Sequence, residues 1–299
     1  MKLQQWAQDW FAAWQASHTD SYRTAQSYQG LLQNTILPRL GKYELAELTS
    51  LQLKHFFAGL PGGKAKNTYK LLRTILQQAV AAEQMAENPC TPEILSEEVL
   101  AERKAGPHRE QPVFTRVEQE KLLAVCEEEL WGDLIRFAFA TGLPQGKLLA
   151  LREEDVDLVA NRLIVRNQIV RIADEQTEGR KTRLALLPVQ PYSVPLPAAC
   201  KRIVESQLRT LRTLQAMDAR CNPDHLLFAT PDGRPIEANV LREHLALLER
   251  RAGVPGLTFS AIRETIIRQA LEDGGTDAEV MELFHCKDRQ AFLRRYREK

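Results

Sequence analysis

Apolar and polar residues alternate at helical spacing over the first 90 residues. Between residues 3 and 14 the apolar positions recur every three or four residues, which predicts a helix. This helix places three indoles on one face, and that face must be buried: Trp6, Trp10 and Trp14. The same spacing predicts a second helix over residues 21–37, because Pro38 and Gly41 are typical of a helix end.

Two further helices are predicted before residue 90. Thr49 is a suitable N-cap for a third helix that reaches Leu60, and the Pro-Gly-Gly sequence at 61–63 closes it. A fourth helix runs to about Met85 and carries an apolar stripe on one face: Tyr69, Leu72, Ile75, Leu76, Ala79 and Val80. Residues 1–90 are therefore predicted to form an all-α domain.

The pattern changes after residue 90. Residues 91–112 carry prolines and many charges with little apolar periodicity, so we predict an interdomain linker there. The remaining residues, 113–299, begin with a helix that Thr115 caps. They also hold two β-branched stretches, at 161–170 and 189–196, which predict strands on either side of a polar turn. Helices resume after the second strand, and we predict a mixed α and β domain.

The composition narrows the classes of function. No run of about 18 apolar residues is present, and the N-terminus lacks the basic-then-apolar order of a signal peptide, so we expect a soluble, cytoplasmic protein. The net charge of +1 means that any nucleic-acid-binding face must be local. The five cysteines are far apart and form no C-x-x-C pair, which argues against a zinc site or a disulfide framework: Cys90, Cys126, Cys200, Cys221 and Cys286.

Several motifs resemble one protein family. Tyr28 with the following ILPRLGKYELAELTSLQL, and the later AENPC, resemble the core-binding domain of the tyrosine recombinases, the phage integrase family. In the second half, FATGLPQGKLLALREEDVDL, SVPLP, TFSAIRETIIRQALEDGG and MELFHC resemble the boxes of the catalytic domain of that family. The resemblance covers nearly the whole chain.

The resemblance implies both a fold and a partner. The expected fold is mainly α with a small β-sheet: an all-α, SAM-like core-binding domain followed by a mixed α+β domain of the catalytic type. The expected partner is double-stranded DNA, held mainly through phosphate contacts by Lys and Arg. The implied function is site-specific DNA recombination or integration of a mobile element. Copies of the chain are expected to meet on DNA, although the further C-terminal helix that docks on a neighbouring subunit in this family is missing.

The family reaction is a phosphoryl transfer that needs neither a metal nor a cofactor, and we expect none here. A tyrosine oxygen attacks the scissile phosphate and becomes attached to the 3′ end of the DNA. Two arginines hold the non-bridging oxygens, a lysine protonates the leaving 5′ oxygen, and histidines assist by hydrogen bonding and proton transfer. Each group has a matching position in this chain.

The first arginine position holds Pro144, directly after the TGL of FATGL. A proline carries no hydrogen-bond donor. Lys147 and Arg152 follow within the same segment, and either is a candidate for reaching a phosphate, but neither occupies the matching position. Because loss of a catalytic arginine lowers a phosphoryl-transfer rate by about 10³ to 10⁵, Pro144 argues for reduced or lost activity.

The second arginine position matches Arg263 of SAIRET, but its companion histidine is replaced by Ser260. A serine can donate a hydrogen bond to a phosphate but cannot carry a proton near neutral pH as an imidazole does. His285 in LFHC matches the second histidine box, with Phe284 in place of the usual glycine.

The lysine of the sheet turn is best assigned to Lys181 in EGRKTR, with Arg180 and Arg183 as alternatives. The candidate nucleophile is Tyr296, which follows His285 by eleven residues. Tyr296 is equally well explained as an apolar anchor of the last helix, and both interpretations stay open.

The start of the fourth helix is the predicted nucleic-acid contact of the first domain. Its basic residues recur every two to four positions: Lys64, Lys66, Lys70 and Arg73. The Gly-Gly before them leaves the helix N-terminus open to a phosphate, and the alternative is that these residues are solvated charges.

Three functions are therefore weighed. The first is a recombinase that uses Tyr296, Arg263, His285 and Lys181. The second is a non-enzymatic, sequence-specific DNA-binding regulator that kept the fold, which Pro144 and Ser260 together favour. The third, drawn from the near-neutral charge, is a protein whose helical first half binds another protein.

Overall fold

The computed structural model of this protein describes residues 1–18, 21–95, 97, 111–127, 129–173 and 182–297. The chain divides into two compact units, Met1–Arg109 and Glu110–Lys299. Helices dominate both, and a small sheet lies in the second, so the predicted fold class is confirmed. None of the helices in the described ranges has the length and apolar character that crossing a bilayer requires.

The regular elements of the first unit are helices in its described residues. Its elements are α1 (Leu3–Ser17), α2 (Tyr22–Leu31), a π-helical turn (Leu32–Ile36), α3 (Leu37–Leu40), α4 (Ser50–Ala58) and α5 (Gly62–Ala81). Thr49 caps α4 through a capping box with Gln52, because each side chain bonds the backbone N–H of the other. The core packs against α5, which contributes the buried side chains of Tyr69, Leu72, Ile75 and Leu76.

The second predicted helix does not stop at Pro38. The chain passes from α2 through the π-helical turn into α3, and Pro38 lies in the first turn of α3. A proline inside a helix lacks an N–H and crowds the carbonyl four residues earlier. The wider π-helical turn just before Pro38 relieves that conflict, so the helical path continues to Leu40.

Two other details of the first unit differ from the prediction. The three indoles of α1 are only partly buried, because Leu3 and Ala7 fill the core beneath this helix. The indole of Trp6 instead donates to the carbonyl oxygen of Ile75 at 3.0 Å. Gly62 and Gly63 do not close α4 but form the first turn of α5, for which Pro61 is the N-cap.

The second unit surrounds its sheet with helices. Before the sheet come α6 (Arg116–Val125), α7 (Gly132–Thr141) and α8 (Gln145–Leu148). The strands are β1 (Val156–Asp157), β2 (Arg162–Ala173) and β3 (Thr182–Pro195). After the sheet come α9 (Ala198–Met217), α10 (Ala238–Ala252), α11 (Phe259–Glu272), α12 (Asp277–Leu283) and α13 (Arg289–Tyr296).

The sheet is antiparallel in the order β1-β2-β3, with Ile169 opposite Leu186. The strand predicted at 189–196 begins earlier, at Thr182, because residues 182–188 pair with the second half of β2. A register shift between Val165 and Asn167 marks a bulge in β2. The main core of this unit lies between the sheet and the helices, and a smaller cluster joins α11 to the C-terminus through Ile267, Val280, Phe284 and Phe292.

Candidate phosphate site and nucleic-acid interface

Arg263 joins three segments of the second unit. It lies on α11, whose N-cap Thr258 accepts a hydrogen bond from the N–H of Ala261. One terminal nitrogen of the Arg263 guanidinium donates to the carbonyl oxygen of Gly142 at 2.6 Å, and the other donates to that of Phe284, also at 2.6 Å. The three motifs FATGL, SAIRET and LFHC thus meet at one guanidinium.

His285 is positioned by the end of α12. Its φ of 51° lies in the left-handed region. Its N–H bonds the carbonyl of Glu282, and the N–H of Cys286 bonds that of Met281. This pair of bonds is a Schellman motif, which fixes the residue after the C-cap in a left-handed conformation. Local backbone geometry therefore sets the direction in which the imidazole leaves the chain.

The imidazole of His285 stacks on Tyr192 of β3. The ring centroids are 3.7 Å apart and the planes differ by 3°. Lys147 of α8 reaches the same tyrosine: its Nζ lies 3.3 Å from the Tyr192 hydroxyl and 4.6 Å from the ring centroid. The structure therefore brings together α8, β3 and the end of α12.

Arg263, Lys147, Tyr192 and His285 together form what we call the Arg263 centre, and its charged side chains are cations. Burial lowers the pKa of His285, and the neighbouring Lys147, Lys287 and Arg263 lower it further. His285 is therefore neutral at pH 7 and can accept a proton or a hydrogen bond. Burial also raises the pKa of Tyr192 to about 12, so its hydroxyl stays protonated.

Pro144 is the N-cap of the short helix α8. Its carbonyl accepts hydrogen bonds from the N–H groups of Lys147 and Leu148, both at 2.9 Å. Arg152, the other downstream candidate, belongs to a separate acidic network: its guanidinium pairs with Glu154 at 3.5 Å and with Asp224 at 3.8 Å. Of the two candidates, Lys147 is the one whose described contacts lie at the Arg263 centre.

Tyr296 is engaged beside this centre. Its hydroxyl donates to the Glu264 carboxylate at 2.9 Å, and the same buried carboxylate pairs with Arg268 at 2.9 Å and with Arg295 at 2.7 Å. Burial and the Glu264 charge raise the pKa of Tyr296 well above its ordinary value. Its ring packs on Phe292, with the centroids 4.8 Å apart. In this conformation Tyr296 anchors the last helix.

The remaining predicted residues of this site are placed as follows. Ser260 is exposed on the first turn of α11. Lys181 and its alternative Arg180 lie outside the described residues, so the structure places neither. Arg183 is exposed on β3, opposite Ile172 of β2.

The predicted basic stripe of the first unit lies along α5. Lys64 and Lys70 are exposed and Lys66 is partly buried. Arg73 has a structural contact: its guanidinium donates to the carbonyl oxygen of Cys90 at 2.7 Å and ties residues 88–90 to the helix.

Tyr192 is a residue of the Arg263 centre that the sequence pattern does not single out. Lys147 is a sequence candidate for a phosphate contact, but no local spacing pairs it with Tyr192. The available signal was weak, since a tyrosine in a β-strand is usually explained by strand preference alone. Only the stacking on His285 distinguishes Tyr192.

The chain is similar to phage integrases and tyrosine recombinases. Residues 2–60 match the family described as phage integrase, N-terminal SAM-like domain. A tyrosine recombinase XerC-like protein from Caldanaerobacter subterraneus subsp. tengcongensis is 28% identical over 87% of this chain and 70% of its own length. The integrase of Mycobacterium phage L5 is 24% identical over 90% of this chain and 69% of its own length.

Solved structures have the same fold. The Tn1549 transposon integrase, in complex with circular intermediate DNA, aligns with a TM-score of 0.68 at 16% identity and covers 99% of this chain and 95% of that chain. A lambda integrase dimer bound to a COC′ core site aligns with a TM-score of 0.55 at 17% identity, covering 100% of this chain and 96% of that chain.

Proposed function

Because this chain belongs to the tyrosine recombinase family, we propose that it binds double-stranded DNA at a specific site and acts in the recombination or integration of a mobile element. The observation that carries the proposal is the Arg263 centre. Three motifs that are far apart in the chain converge there with Arg263, Lys147 and His285. A converging set of cations suits a DNA phosphate, whose charge dominates protein–DNA affinity.

Recognition of a particular DNA sequence would come from residues other than those of the Arg263 centre. Phosphate contacts position a protein on the duplex, whereas contacts to base edges distinguish sequences. In the first unit, Lys64, Lys66 and Lys70 follow one another along α5 and supply a second basic surface. With a net charge of only +1, such local surfaces have to provide the electrostatic attraction.

We further propose that strand cleavage is weak or absent in the conformation described. Pro144 stands where the family has one of its two phosphate-holding arginines. The Tyr296 hydroxyl donates a hydrogen bond to Glu264, and the pKa of Tyr296 is raised. A phenol that is held in this way is a poor nucleophile, because attack requires the phenolate.

Cleavage by Tyr296, assisted by Arg263, His285 and Lys181, is the second candidate function. One observation favours it: Tyr296 and Cys286 pack in the same small cluster, and the Cys286 sulfur lies 3.5 Å from the Arg263 guanidinium. Release of Tyr296 from Glu264 would therefore leave its hydroxyl close to the Arg263 centre.

The binding proposal is tested with duplexes selected from a random library and measured by fluorescence anisotropy at several salt concentrations. We expect affinity to fall steeply with salt, and the variant Lys66→Glu/Lys70→Glu to bind at least about tenfold more weakly with a flatter slope. Lys54→Glu, an exposed lysine on α4, is the matched control. Failure to select any duplex would contradict the proposal.

Cleavage is tested separately with nicked suicide duplexes taken from DNA that flanks the gene. A denaturing gel then shows whether a covalent protein–DNA adduct forms. We expect binding without an adduct. An adduct that Tyr296→Phe abolishes would establish the second candidate.

We also propose that copies of this chain assemble on DNA. Among the solved structures with the same fold are a lambda integrase dimer bound to a COC′ core site and a lambda integrase tetramer bound to a Holliday junction. Sedimentation of the protein with its selected duplex measures the stoichiometry, and one copy on every duplex length would contradict assembly.

A further inference from the structure

Pro144 stands where the family has its first arginine. A basic residue, Lys147, follows three positions later and is held in place by tertiary contacts. Pro144 offers no donor, but it starts α8, and this helix carries Lys147 on its one turn. Gly146 lets that turn approach the sheet closely, because a Cβ at this residue would lie 2.8 Å from the carbonyl oxygen of Ile169 on β2. The backbone around Lys147 is therefore fixed against β2.

The Lys147 side chain is directed by Tyr192. Its ammonium lies 3.3 Å from the tyrosine hydroxyl and 4.6 Å from the ring centroid, a distance at which a cation is attracted to the face of an aromatic ring.

Tyr192 is held in place by His285, the residue that matches the second histidine box. The parallel stacking on His285, at 3.7 Å, fixes the plane of the phenol ring. His285 in turn is fixed by the Schellman motif, whose cap residue Phe284 accepts a bond from Arg263. Lys147 and Arg263 are thus coupled through one continuous set of contacts.

The family reaction needs two cations on one phosphate. Arg263 is one of them, and Lys147 supplies another from a position other than that of the first arginine. We propose that Lys147, positioned by Tyr192, holds a non-bridging oxygen of a DNA phosphodiester in place of the arginine that Pro144 displaces. This inference rests on the proposed function. Its partner on the same phosphate is Arg263, whose two carbonyl bonds leave further N–H groups of the guanidinium for an acceptor.

One observation and one general property of lysine support a phosphate here over a purely structural lysine. Besides burial, the cations Lys147, Lys287 and Arg263 each lower the pKa of His285, so these positive groups lie close to one another. A lysine also binds phosphate as a point charge and needs no fork geometry, so it can serve from a position that differs from that of an arginine.

The test is a double-mutant cycle between Lys147 and single phosphates of the selected duplex. Each phosphate in turn is replaced by an uncharged methylphosphonate, and the Kd is measured for the wild-type protein and for Lys147→Gln. We expect one phosphate whose neutralisation weakens wild-type binding about tenfold but weakens Lys147→Gln binding clearly less, because only Arg263 then still contacts it. Lys147→Arg should restore the dependence on that phosphate.

Two controls separate this contact from general electrostatics. Lys121→Gln removes an exposed lysine of α6 and should leave the dependence on that phosphate as in the wild type. Tyr192→Phe keeps the ring and its stacking on His285 but removes the hydroxyl, so it should weaken the coupling without abolishing it. Thermal melts of each variant establish that the fold is intact.

The outcomes distinguish the inference from the proposed function. If Lys147→Gln and every methylphosphonate act additively while DNA binding persists, Lys147 touches no phosphate and the inference is wrong. If Lys147→Gln melts earlier but the phosphate coupling is absent, its role is structural and the inference is again wrong. If the wild-type protein binds no duplex, the proposed function itself fails.

Discussion

Arg263 and Glu264 are neighbours on α11, yet they lie in two charge clusters that differ in how charge is balanced. Glu264 is 3% exposed and accepts bonds from Arg268, Arg295 and Tyr296, so its carboxylate is enclosed by donors. Arg263 donates to two neutral carbonyls, and the groups that act on the nearby His285 are cations. One cluster is balanced internally and holds the C-terminus. The other is where we propose that a DNA phosphate binds.

The two clusters differ in charge balance because different kinds of contact hold them together. A buried carboxylate without donors is strongly disfavoured, so Glu264 needs its arginines before the last helix can pack. The Arg263 centre is instead ordered by neutral carbonyls and ring stacking. Contacts of this kind preorganise cations for a phosphate, as the proposed function requires.

The largest expected effect is on the Glu264 cluster. Glu264→Ala leaves Arg268, Arg295 and Tyr296 without their acceptor and should lower the free energy of unfolding by about 2–3 kcal/mol, because the two arginines are partly exposed and recover some hydration. Urea unfolding measures this. Glu272→Gln, an exposed acid at the end of the same helix, should change stability by less than about 0.5 kcal/mol.

The next effect concerns the Arg263 centre. Arg263→Lys keeps the charge but cannot bond two carbonyls with a planar fork, so we expect a loss of about 1–2 kcal/mol in unfolding free energy. Affinity for the selected duplex should fall as well, and anisotropy measures it. Unchanged stability and unchanged binding in this variant would contradict the assignment of Arg263 to the centre.

A smaller effect distinguishes Tyr296 from a working nucleophile. Tyr296→Phe loses one bond to a carboxylate that keeps two arginines, and should lower stability at pH 7 by about 1 kcal/mol while leaving duplex affinity unchanged. The raised pKa keeps the folded phenol protonated, whereas the unfolded one ionises near pH 10. The advantage of the wild type should therefore shrink as pH rises above about 10, which unfolding at pH 9 and pH 11 measures.

The smallest effect is on His285, which is only partly buried. Because its folded-state pKa is lowered, the unfolded chain binds a proton first as pH falls below about 6.5, and stability should decrease with it. His285→Gln should flatten this part of the stability–pH curve between pH 7 and pH 5. A curve that keeps the wild-type slope would show that neither burial nor the neighbouring Lys147, Lys287 and Arg263 lower the pKa of this imidazole.

Local sequence determined much of this protein. Thr49, Thr115 and Thr276 each precede a Gln or Glu by three residues, and each forms a capping box that starts a helix. Residue types at motif positions also identified Arg263 and His285 as site candidates, and the structure brings both to one centre. Such features depend on residues within a few positions of one another, which a sequence pattern displays directly.

Tertiary structure decided the rest. The contact of Lys147 with Tyr192, the stacking of Tyr192 on His285, and the bond from Tyr296 to Glu264 each join residues that are 32 to 93 positions apart. No local spacing encodes such contacts, because they depend on how β3, α8, α11 and the C-terminal helices pack. Pro38 is a further case in which the local pattern is insufficient. By itself it predicts a helix end, but a π-helical turn accommodates it within the packed first unit. The sequence thus determined which residues are available for the chemistry, and packing over long distances decided which of them meet.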